Sequence, residues 1–283
     1  MNLLNKDTLL RVKDIFVRVF KWPYIILNYL VRGVLLALFL YAAAFSIIAS
    51  YYLYHAFQYV YEIYDNVVIL KDIQPEMSKY MSALLDSNAN FVIKHKYVPL
   101  DSISINLQKA VIASEDAGFY FHPGFDVRAI SDALDANQAR GKTKFGGSTL
   151  TQQLAKNLFL SGERSWERKF KELAYALLME RELGKDRILE LYLNYAQWGK
   201  DMFGCEVACR QYYKKGCSNL SVDQAINLAA VLASPGKHTP YMRQSQFMTQ
   251  RRAVIYQNMF PKRDSLLVDS LKTLVAPLPK DSL

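Results

Sequence analysis

Two adjacent carboxylates, Glu115 and Asp116, follow an apolar run in the stretch VIASEDAGFYFHPGFD, residues 111–126. An amphipathic helix gains no packing energy from a carboxylate at the end of its apolar face. The pair therefore belongs either to the solvated surface or to a site that uses its charge. A carboxylate at a helix end that faces a cleft is suited to general acid–base catalysis. The stretch by itself leaves both interpretations open.

A second segment, KFGGSTLTQQLAKNLFL (residues 144–160), joins a glycine-containing turn to a helical pattern. Gly147 and Ser148 precede the predicted helix, and the backbone N–H groups at such a helix start favour an anion. The polar side chains that recur with helical spacing are Thr149, Gln152, Lys156, Gln153 and Asn157. A solvated face is usually rich in Glu and Lys, whereas this one has mainly amides and a hydroxyl. The composition favours a binding face.

A third pattern places Arg164, Arg168 and Glu172 four residues apart, along one stripe of a predicted helix. Ion pairs within the helix, worth only tenths of a kcal/mol, explain this spacing if it is taken alone. Together with Lys156 and the capped helix start, the arginines suggest a phosphate clamp, because guanidinium groups match phosphate oxygens in geometry.

Composition narrows the class of partner. The chain has 283 residues and a formal net charge of +9, so a polyanionic or phosphorylated partner fits its electrostatics. No zinc-finger spacing or RNP-like aromatic motif accompanies the basic residues, so nucleic acid is not an expected partner. An odd number of cysteines argues against a disulfide framework. Cys205 and Cys209 are interpreted as small buried residues, with a single disulfide between them as the alternative.

The N-terminal part of the chain predicts a membrane anchor. Residues 33–56 contain no Asp, Glu, Lys or Arg, and about 20 apolar residues suffice to cross a bilayer as a helix. A cleaved signal peptide is disfavoured because bulky aromatics follow Ser50, and a buried core helix is the other alternative. The positive-inside rule assigns the N-terminus to the cytoplasm. The basic residues of this flank are Lys6, Arg11, Lys13, Arg18, Lys21 and Arg32.

Beyond the anchor, helical periodicity dominates and strand signals are weak, so we predict a mainly α fold. The predicted organisation is a cytoplasmic segment (1–32), a transmembrane helix (33–56), a stalk or linker with some helix (57–95), a helical domain (96–260) and a peripheral C-terminal segment (261–283). The helices predicted within the domain are 105–117, 127–138, 149–159, 164–183, 185–194, 204–213 and 222–233.

The motifs SEDAGFYFHPGFD, GGSTLTQQLAKNLFL, RSWERKFKE and ILELYLN, in this order and spacing, resemble the successive motifs of peptidoglycan glycosyltransferases (glycosyltransferase family 51). The blocks NYAQWGKDMFGCEVACRQYYKK and LSVDQAINLAAVLASP are similar to the family's downstream region. The resemblance extends from about Tyr97 to Arg252. The sequence leaves no room for a transpeptidase domain, so we expect the monofunctional, membrane-anchored type.

The resemblance implies a lysozyme-like helical fold and polymerisation of lipid II into glycan strands, with inversion and release of undecaprenyl pyrophosphate. It implies that Glu115 is the catalytic base and Glu172 the second essential carboxylate. The substrate-binding residues expected from the patterns and the resemblance together are Asp116, Phe119, His122, Gly147, Ser148, Thr149, Gln152, Gln153, Lys156, Asn157, Arg164, Arg168 and Lys169.

The chemistry fits these residue types. A glycosidase must protonate a poor leaving group and uses two carboxylates for this, whereas pyrophosphate leaves as a stabilised anion that needs nearby positive charge. No cofactor is expected to be required, with Mg or Mn as an optional divalent cation, and no metal site is predicted. Lipid II, the growing glycan strand, membrane lipids and other cell-wall synthesis proteins are the expected partners. The catalytic domain is expected on the periplasmic side of the inner membrane.

Two other functions remain open at this point. A lytic muramidase would use the same helical scaffold, but a neutral glycan does not require the basic face formed by the second and third motifs. A non-catalytic scaffold for cell-wall synthesis proteins would have no use for the acids or the basic residues.

Overall fold

A computed structural model describes residues 6–88, 90–140, 147–160, 165–242 and 244–261. The chain divides into two compact units, Met1–Glu62 and Ile63–Leu283.

The first unit consists of most of helix α1 (Lys6–Val68), which is 63 residues long. Within α1, the most apolar window has a mean hydropathy of 2.2 and none of it is buried by protein. The stretch 33–56 is the reason, since it has no charged residue and its polar side chains are limited to Ser46, Ser50, His55 and the tyrosine hydroxyls. The prediction of one N-terminal helix long and apolar enough to cross a membrane is confirmed.

The second unit is mainly helical, as predicted. Its α-helices after α1 are α2 (Lys79–Ser87), α3 (Ile105–Glu115), α4 (Val127–Arg140), α5 (Leu150–Phe159), α6 (Trp166–Glu182), α7 (Gly184–Tyr195), α8 (Cys205–Tyr213), α9 (Val222–Ala229) and α10 (Gln246–Met259). Short 3₁₀ helices lie at Ile69–Lys71, Leu100–Ser102, Phe119–Phe121, Cys217–Asn219 and Ala230–Ala233. Two short strands, β1 (Lys94–His95) and β2 (Met202–Phe203), pair in parallel, with Lys94 opposite Met202 and His95 opposite Phe203.

Two groups of helices form the core and position the site. Helix α3 packs mainly on α9 and α10, while α5 packs on α6 and α7. The apolar face of α3 is fully buried at Leu107 and Val111, and that of α5 at Leu150 and Leu154. Each such side chain contributes about 1.5–3 kcal/mol on burial. Both groups belong to one hydrophobic core, which holds the C-terminal end of α3 and the polar side of α5 in the same unit.

The segment 57–95 differs from the predicted stalk, because from Ile63 onward it belongs to the compact unit. Ile63, Val67 and Leu70 are buried, and so is Met81 of α2. Helix α2 has only nine residues, too few for a clear apolar period, and Ser78 caps its start. Helix α10 is also absent from the predictions, since only Met248 and Ile255 in it are fully buried and its apolar residues form no continuous stripe.

The cysteines pair differently from the alternative that the sequence suggested. Cys209 is joined to Cys217, and Cys205 is a free, buried thiol. Cys205 and Cys209 lie one turn apart on α8. Lys214, with a left-handed φ of 56°, ends that helix and reverses the chain, so that Cys217 reaches Cys209. The prediction that Cys205 and Cys209 are buried is confirmed.

Reducing this disulfide should destabilise the domain moderately. The bridge closes a loop with a sequence separation of 8, for which chain entropy predicts a loss of about 2–3 kcal/mol in the free energy of unfolding. Thermal denaturation of the full chain in detergent, with and without dithiothreitol, measures this loss. The variant Cys209→Ser provides the control, because its melting temperature should be low already and should not respond to the reductant.

Candidate active site

Glu115 is the last residue of α3, and its carboxylate has three neighbours that orient it. Oε1 accepts hydrogen bonds from Arg251 Nη2 at 2.6 Å and from Ser114 Oγ at 3.0 Å. Oε2 accepts one from Gln153 Nε2 at 3.3 Å. The side chain of Glu115 is 11% exposed, so the group is accessible at the surface of a cleft but shielded on most sides.

Helix α10 supplies the contacts that hold this end of α3. Arg251 Nη2 also donates to the carbonyl oxygen and the hydroxyl of Ser114, at 3.0 and 3.1 Å, and Asn258 Nδ2 donates to the carbonyl of Ala113 at 2.8 Å. The last carbonyls of a helix have no partner within it, so these side chains satisfy them. The sequence patterns pointed to neither residue. The only signal was a pair of arginines, Arg251 and Arg252, within a weakly amphipathic segment.

The side chain of Asp116 is buried, and its carboxylate has partners other than those of Glu115. Its Oδ2 accepts the backbone N–H of Leu150 at 2.9 Å, and its Oδ1 lies 2.9 Å from His122 Nε2. Because His122 Nδ1 accepts the N–H of Gly124, Nε2 is assigned the proton. Burial raises the pKa of Asp116, and the two hydrogen bonds oppose that rise. The anion predicted at the start of α5 is therefore the protein's own Asp116.

Thr149 and Gln152, two residues of the predicted binding face, are buried and complete a capping box. The Thr149 hydroxyl accepts the N–H of Gln152, while Gln152 Oε1 accepts the N–H of Thr149. Thr149 also donates to the carbonyl of Gly124 at 2.7 Å. The rest of the predicted face, Gln153, Lys156 and Asn157, lines a cavity. Helical spacing predicts that these five side chains lie on neighbouring rows of one helix surface. In the folded protein two of them are buried and three line the cavity.

Two phenylalanines of the first motif, Phe119 and Phe121, differ in how far they are exposed. Phe119, predicted to bind substrate, is fully buried, with Lys185 Nζ 4.5 Å from its ring centre. It supports the loop that carries His122. Phe121 is 92% exposed.

Gly147, in the turn before α5, lies against the backbone of α4. A Cβ atom on it would be 2.8 Å from the carbonyl oxygen of Ala129 and 2.8 Å from Cα of Ile130, so the backbone of α4 would have to move. Gly147→Ala should lower the free energy of unfolding by about 1–3 kcal/mol, measured by thermal denaturation. Gly236→Ala is the matched control, because a Cβ there meets nothing within 4 Å. Equal stability of the two variants would contradict the packing role.

The basic residues of the third motif surround Glu172, which is 4% exposed. Arg168 Nε donates to one carboxylate oxygen at 3.1 Å, and Lys169 Nζ donates to the other at 2.9 Å. Lys169 also donates to Ser148 Oγ at 3.0 Å and so links α6 to the turn before α5. Both carboxylate oxygens of Glu172 are held by cations, so the side chain fixes the positions of Arg168 and Lys169. Its role as the second catalytic carboxylate stays a prediction.

Two cavities lie near the contact between Gln153 and Glu115. One, of about 350 Å³, is lined by Tyr80, Gln153, Lys156, Asn157, Leu160, Arg168, Tyr192, Ala196, Gln197, Leu232 and Pro235. The other, of about 220 Å³, is lined by residues 113–118, Asp126, Ala129, residues 147–149 and Asn258. Gln153 connects them, since it lines the first and donates to Glu115, which lines the second.

Tyr192 fixes the orientation of this connecting amide. Its hydroxyl donates to Gln153 Oε1 at 3.2 Å, which leaves Gln153 Nε2 to face Glu115. Burial raises the pKa of Tyr192 well above its usual value, and the negative charge of Glu115 adds to the rise. The phenol therefore stays protonated and remains a donor at any physiological pH.

Arg164 and the connection 141–146 lie outside the described residues. Among the residues that are described, no group of three or more His, Cys, Asp or Glu side chains is close enough to hold a metal ion. The arrangement that the structure does bring together is an oriented carboxylate, Glu115, beside a cavity lined by the cations Lys156 and Arg168.

Comparison with known proteins agrees with this arrangement. The sequence model of the family described as Transglycosylase matches residues 83–260. The chain is similar to the biosynthetic peptidoglycan transglycosylase of Thiobacillus denitrificans, with 42% identity over 218 residues, which are 76% of this chain and 90% of that protein. Proteins of the same name from Ralstonia nicotianae and Burkholderia thailandensis are 51% identical over 166 residues and 45% identical over 191. These alignments cover 57% and 66% of this chain, and 71% and 74% of those proteins.

Proposed function

Because the chain belongs to the transglycosylase family, and is a peptidoglycan glycosyltransferase, we propose that its substrate is lipid II and that it adds disaccharide-peptide units to a growing glycan strand. The reaction inverts the anomeric centre and releases undecaprenyl pyrophosphate. The observation that supports this proposal is the single oriented carboxylate, Glu115, beside a cavity lined by Lys156 and Arg168.

Glu115 is the proposed general base. It takes the proton from the 4-hydroxyl of the acceptor GlcNAc as that oxygen attacks C1 of the terminal MurNAc of the growing strand. The C1–O bond to pyrophosphate breaks, and the bonding electrons leave with the diphosphate. Oε1 is held by Arg251 and Ser114, so Oε2 is the atom that receives the proton. The weak 3.3 Å contact from Gln153 leaves a lone pair on Oε2 for this transfer.

The departing diphosphate needs positive charge, not a proton donor. Lys156 and Arg168 line the larger cavity, where negative charge develops on the leaving group. Glu172 holds Arg168 and Lys169 in place through both carboxylate oxygens. The two acidic residues, Glu115 and Glu172, are similarly buried, but their hydrogen-bond partners suit them to different roles. Glu115 has an oxygen with spare hydrogen-bonding capacity, whereas both oxygens of Glu172 are engaged by cations.

The proposal also places the enzyme at a membrane, with its catalytic domain outside the cytoplasm. The apolar span of α1 supports an anchor, and the basic flank before it supports a cytoplasmic N-terminus. The disulfide between Cys209 and Cys217 supports an oxidising compartment for the domain. A prenyl chain leaves the bilayer at high cost, and the exposed Phe121, Trp166 and Phe170 are suited to the headgroup region.

Polymerisation of labelled lipid II by the purified full chain tests the proposal. We expect glycan polymers that a muramidase digests to disaccharide units, formed equally with and without EDTA. Release of soluble muropeptides from purified sacculi, without polymer formation, would instead identify a lytic enzyme. A chain with neither activity that still restores the phenotypes of a deletion would be a scaffold. The two cations that face the cavity favour synthesis, since a neutral glycan does not need them.

A further inference from the structure

The part of α1 before the charge-free stretch has two unlike faces. Within residues 9–22, four of the five charged side chains follow one another at intervals of three and four, on one stripe: Arg11, Asp14, Arg18 and Lys21. The opposite side is apolar over the same length, with Leu9, Val12, Phe16, Val19 and Phe20, and the fifth charged residue, Lys13, lies at its edge. In an α-helix, intervals of three and four place residues on one face. The segment is therefore a basic amphipathic helix.

No part of the described protein covers the apolar stripe. Each of its five side chains is more than half exposed, including the two large aromatics Phe16 and Phe20. Such a continuous exposed stripe is not stable in water and requires a partner. The charges indicate an anionic partner, because residues 9–32 contain five basic side chains and one acidic side chain, Asp14.

The length of α1, and its continuity with the charge-free stretch, indicate that this partner is the membrane surface. An α-helix of 63 residues is about 95 Å long, roughly three times the thickness of a bilayer's hydrocarbon core. The charge-free residues 33–56 already cover that thickness. Residues 9–32 therefore begin at the membrane surface, next to headgroups. Gly33 separates the two parts and has open space around it. Glycine weakens a helix more than any residue except proline, and the proline of α1, Pro23, lies inside residues 9–32, where it can bend the helix along the surface.

We propose that residues 9–32 form an interfacial helix, which turns at Gly33 and lies in the plane of the membrane surface on the side of the N-terminus. Its apolar stripe enters the boundary between headgroups and acyl chains, about 5–10 Å deep, and Arg11, Arg18 and Lys21 contact the phosphates of anionic lipids. A turn at Gly33 gives up a few backbone hydrogen bonds, whereas a straight extension leaves the whole apolar stripe in water.

The full chain in nanodiscs, with a spin label on one introduced cysteine, tests this placement. The native sulfurs do not interfere, because Cys205 is buried and Cys209 and Cys217 are paired. Labels go to Val12, Phe16 and Val19 on the apolar stripe, and to Arg11 and Arg18 on the charged one. In phosphatidylglycerol discs, we expect the ratio of oxygen to nickel-chelate collision rates to be about tenfold higher on the apolar stripe than on the charged one.

Comparison of lipids and variants separates the outcomes. In phosphatidylcholine discs the contrast between the stripes should shrink, because the basic side chains lose their anionic partners. Phe16→Glu together with Phe20→Glu should abolish the protection of a label at Val12, whereas Asp14→Glu on the charged stripe should preserve it. Equal water access on both stripes in anionic discs would overturn the proposal. Protection with spin–spin broadening between two copies of the chain would overturn it too, in favour of helix pairing.

Discussion

Glu115→Gln should lower the rate of lipid II polymerisation by about 10²–10⁴-fold, the range that a general base typically contributes. The amide keeps an oxygen for Arg251 and nearly the same volume, so the fold should be unchanged. The cations at the neighbouring cavity remain, so KM should change little and the loss should appear in kcat. Steady-state polymerisation of labelled lipid II by wild-type and variant chains measures both constants.

A matched control for Glu115→Gln is Glu167→Gln, which makes the same chemical change at a surface position. Glu167 lies in the first turn of α6 and pairs with Lys171, and its side chain is 75% exposed. This variant should retain the rate of the wild-type chain. If Glu115→Gln polymerised lipid II within about twofold of wild type, the 10²-fold minimum expected of a base would be missing and another group would have to take the proton.

Replacing Arg251 by Ala should have the second largest effect, a fall in kcat of about 10²-fold, comparable to the cost of misplacing a catalytic group by 1 Å. One terminal nitrogen of Arg251 contacts Glu115 Oε1 and both oxygens of Ser114. Without it, the carboxylate loses its charged partner and the end of α3 loses a donor. Arg251 touches the proposed base and does not line the larger cavity, so KM should change less than kcat.

Arg252→Gln provides the comparison, because Arg252 is adjacent in sequence but donates to the carbonyls of Pro240 and Met242, away from Glu115. Its polymerisation rate should stay near that of wild type. Added methylguanidine should restore part of the activity of Arg251→Ala and none of that of Glu115→Gln. Equal losses in both arginine variants, without chemical rescue, would show that α10 matters only for folding. Melting temperatures of all variants separate that outcome from a loss of positioning.

The helices of the domain were largely predictable, because most of those that show a regular apolar period also contribute a buried face to the core. Helices α3, α5, α6 and α7 begin and end within a few residues of the predicted bounds. Helices α2 and α10 were not predicted, because neither has a regular apolar period. One is a short helix held by a cap, and the other is attached through hydrogen bonds to Ala113, Ser114 and Glu115, which no period records.

The assignment of roles within the motifs depended on tertiary structure. Spacing placed Thr149, Gln152 and Lys156 on one helical face, but it contains no information on which part of that face is turned inwards. Packing buries the first two in a capping box and leaves Lys156 at the cavity. The sequence likewise predicted that an anion lies at the start of α5, but it did not predict which group that anion is. It proved to be Asp116, 34 residues earlier in the chain.

The amino-acid sequence alone determined the features that depend on neighbours along the chain. These are the membrane-length apolar helix, the helical class, the cationic character of the third motif and the acidic pair after α3. Tertiary structure alone decided which acid has an available oxygen. Glu115 is held by Arg251, which lies 136 residues further on, and Glu172 is neutralised by two cations. The physical reason is that a hydrogen bond depends on distance and direction in space, and helical periodicity fixes these only within one helix.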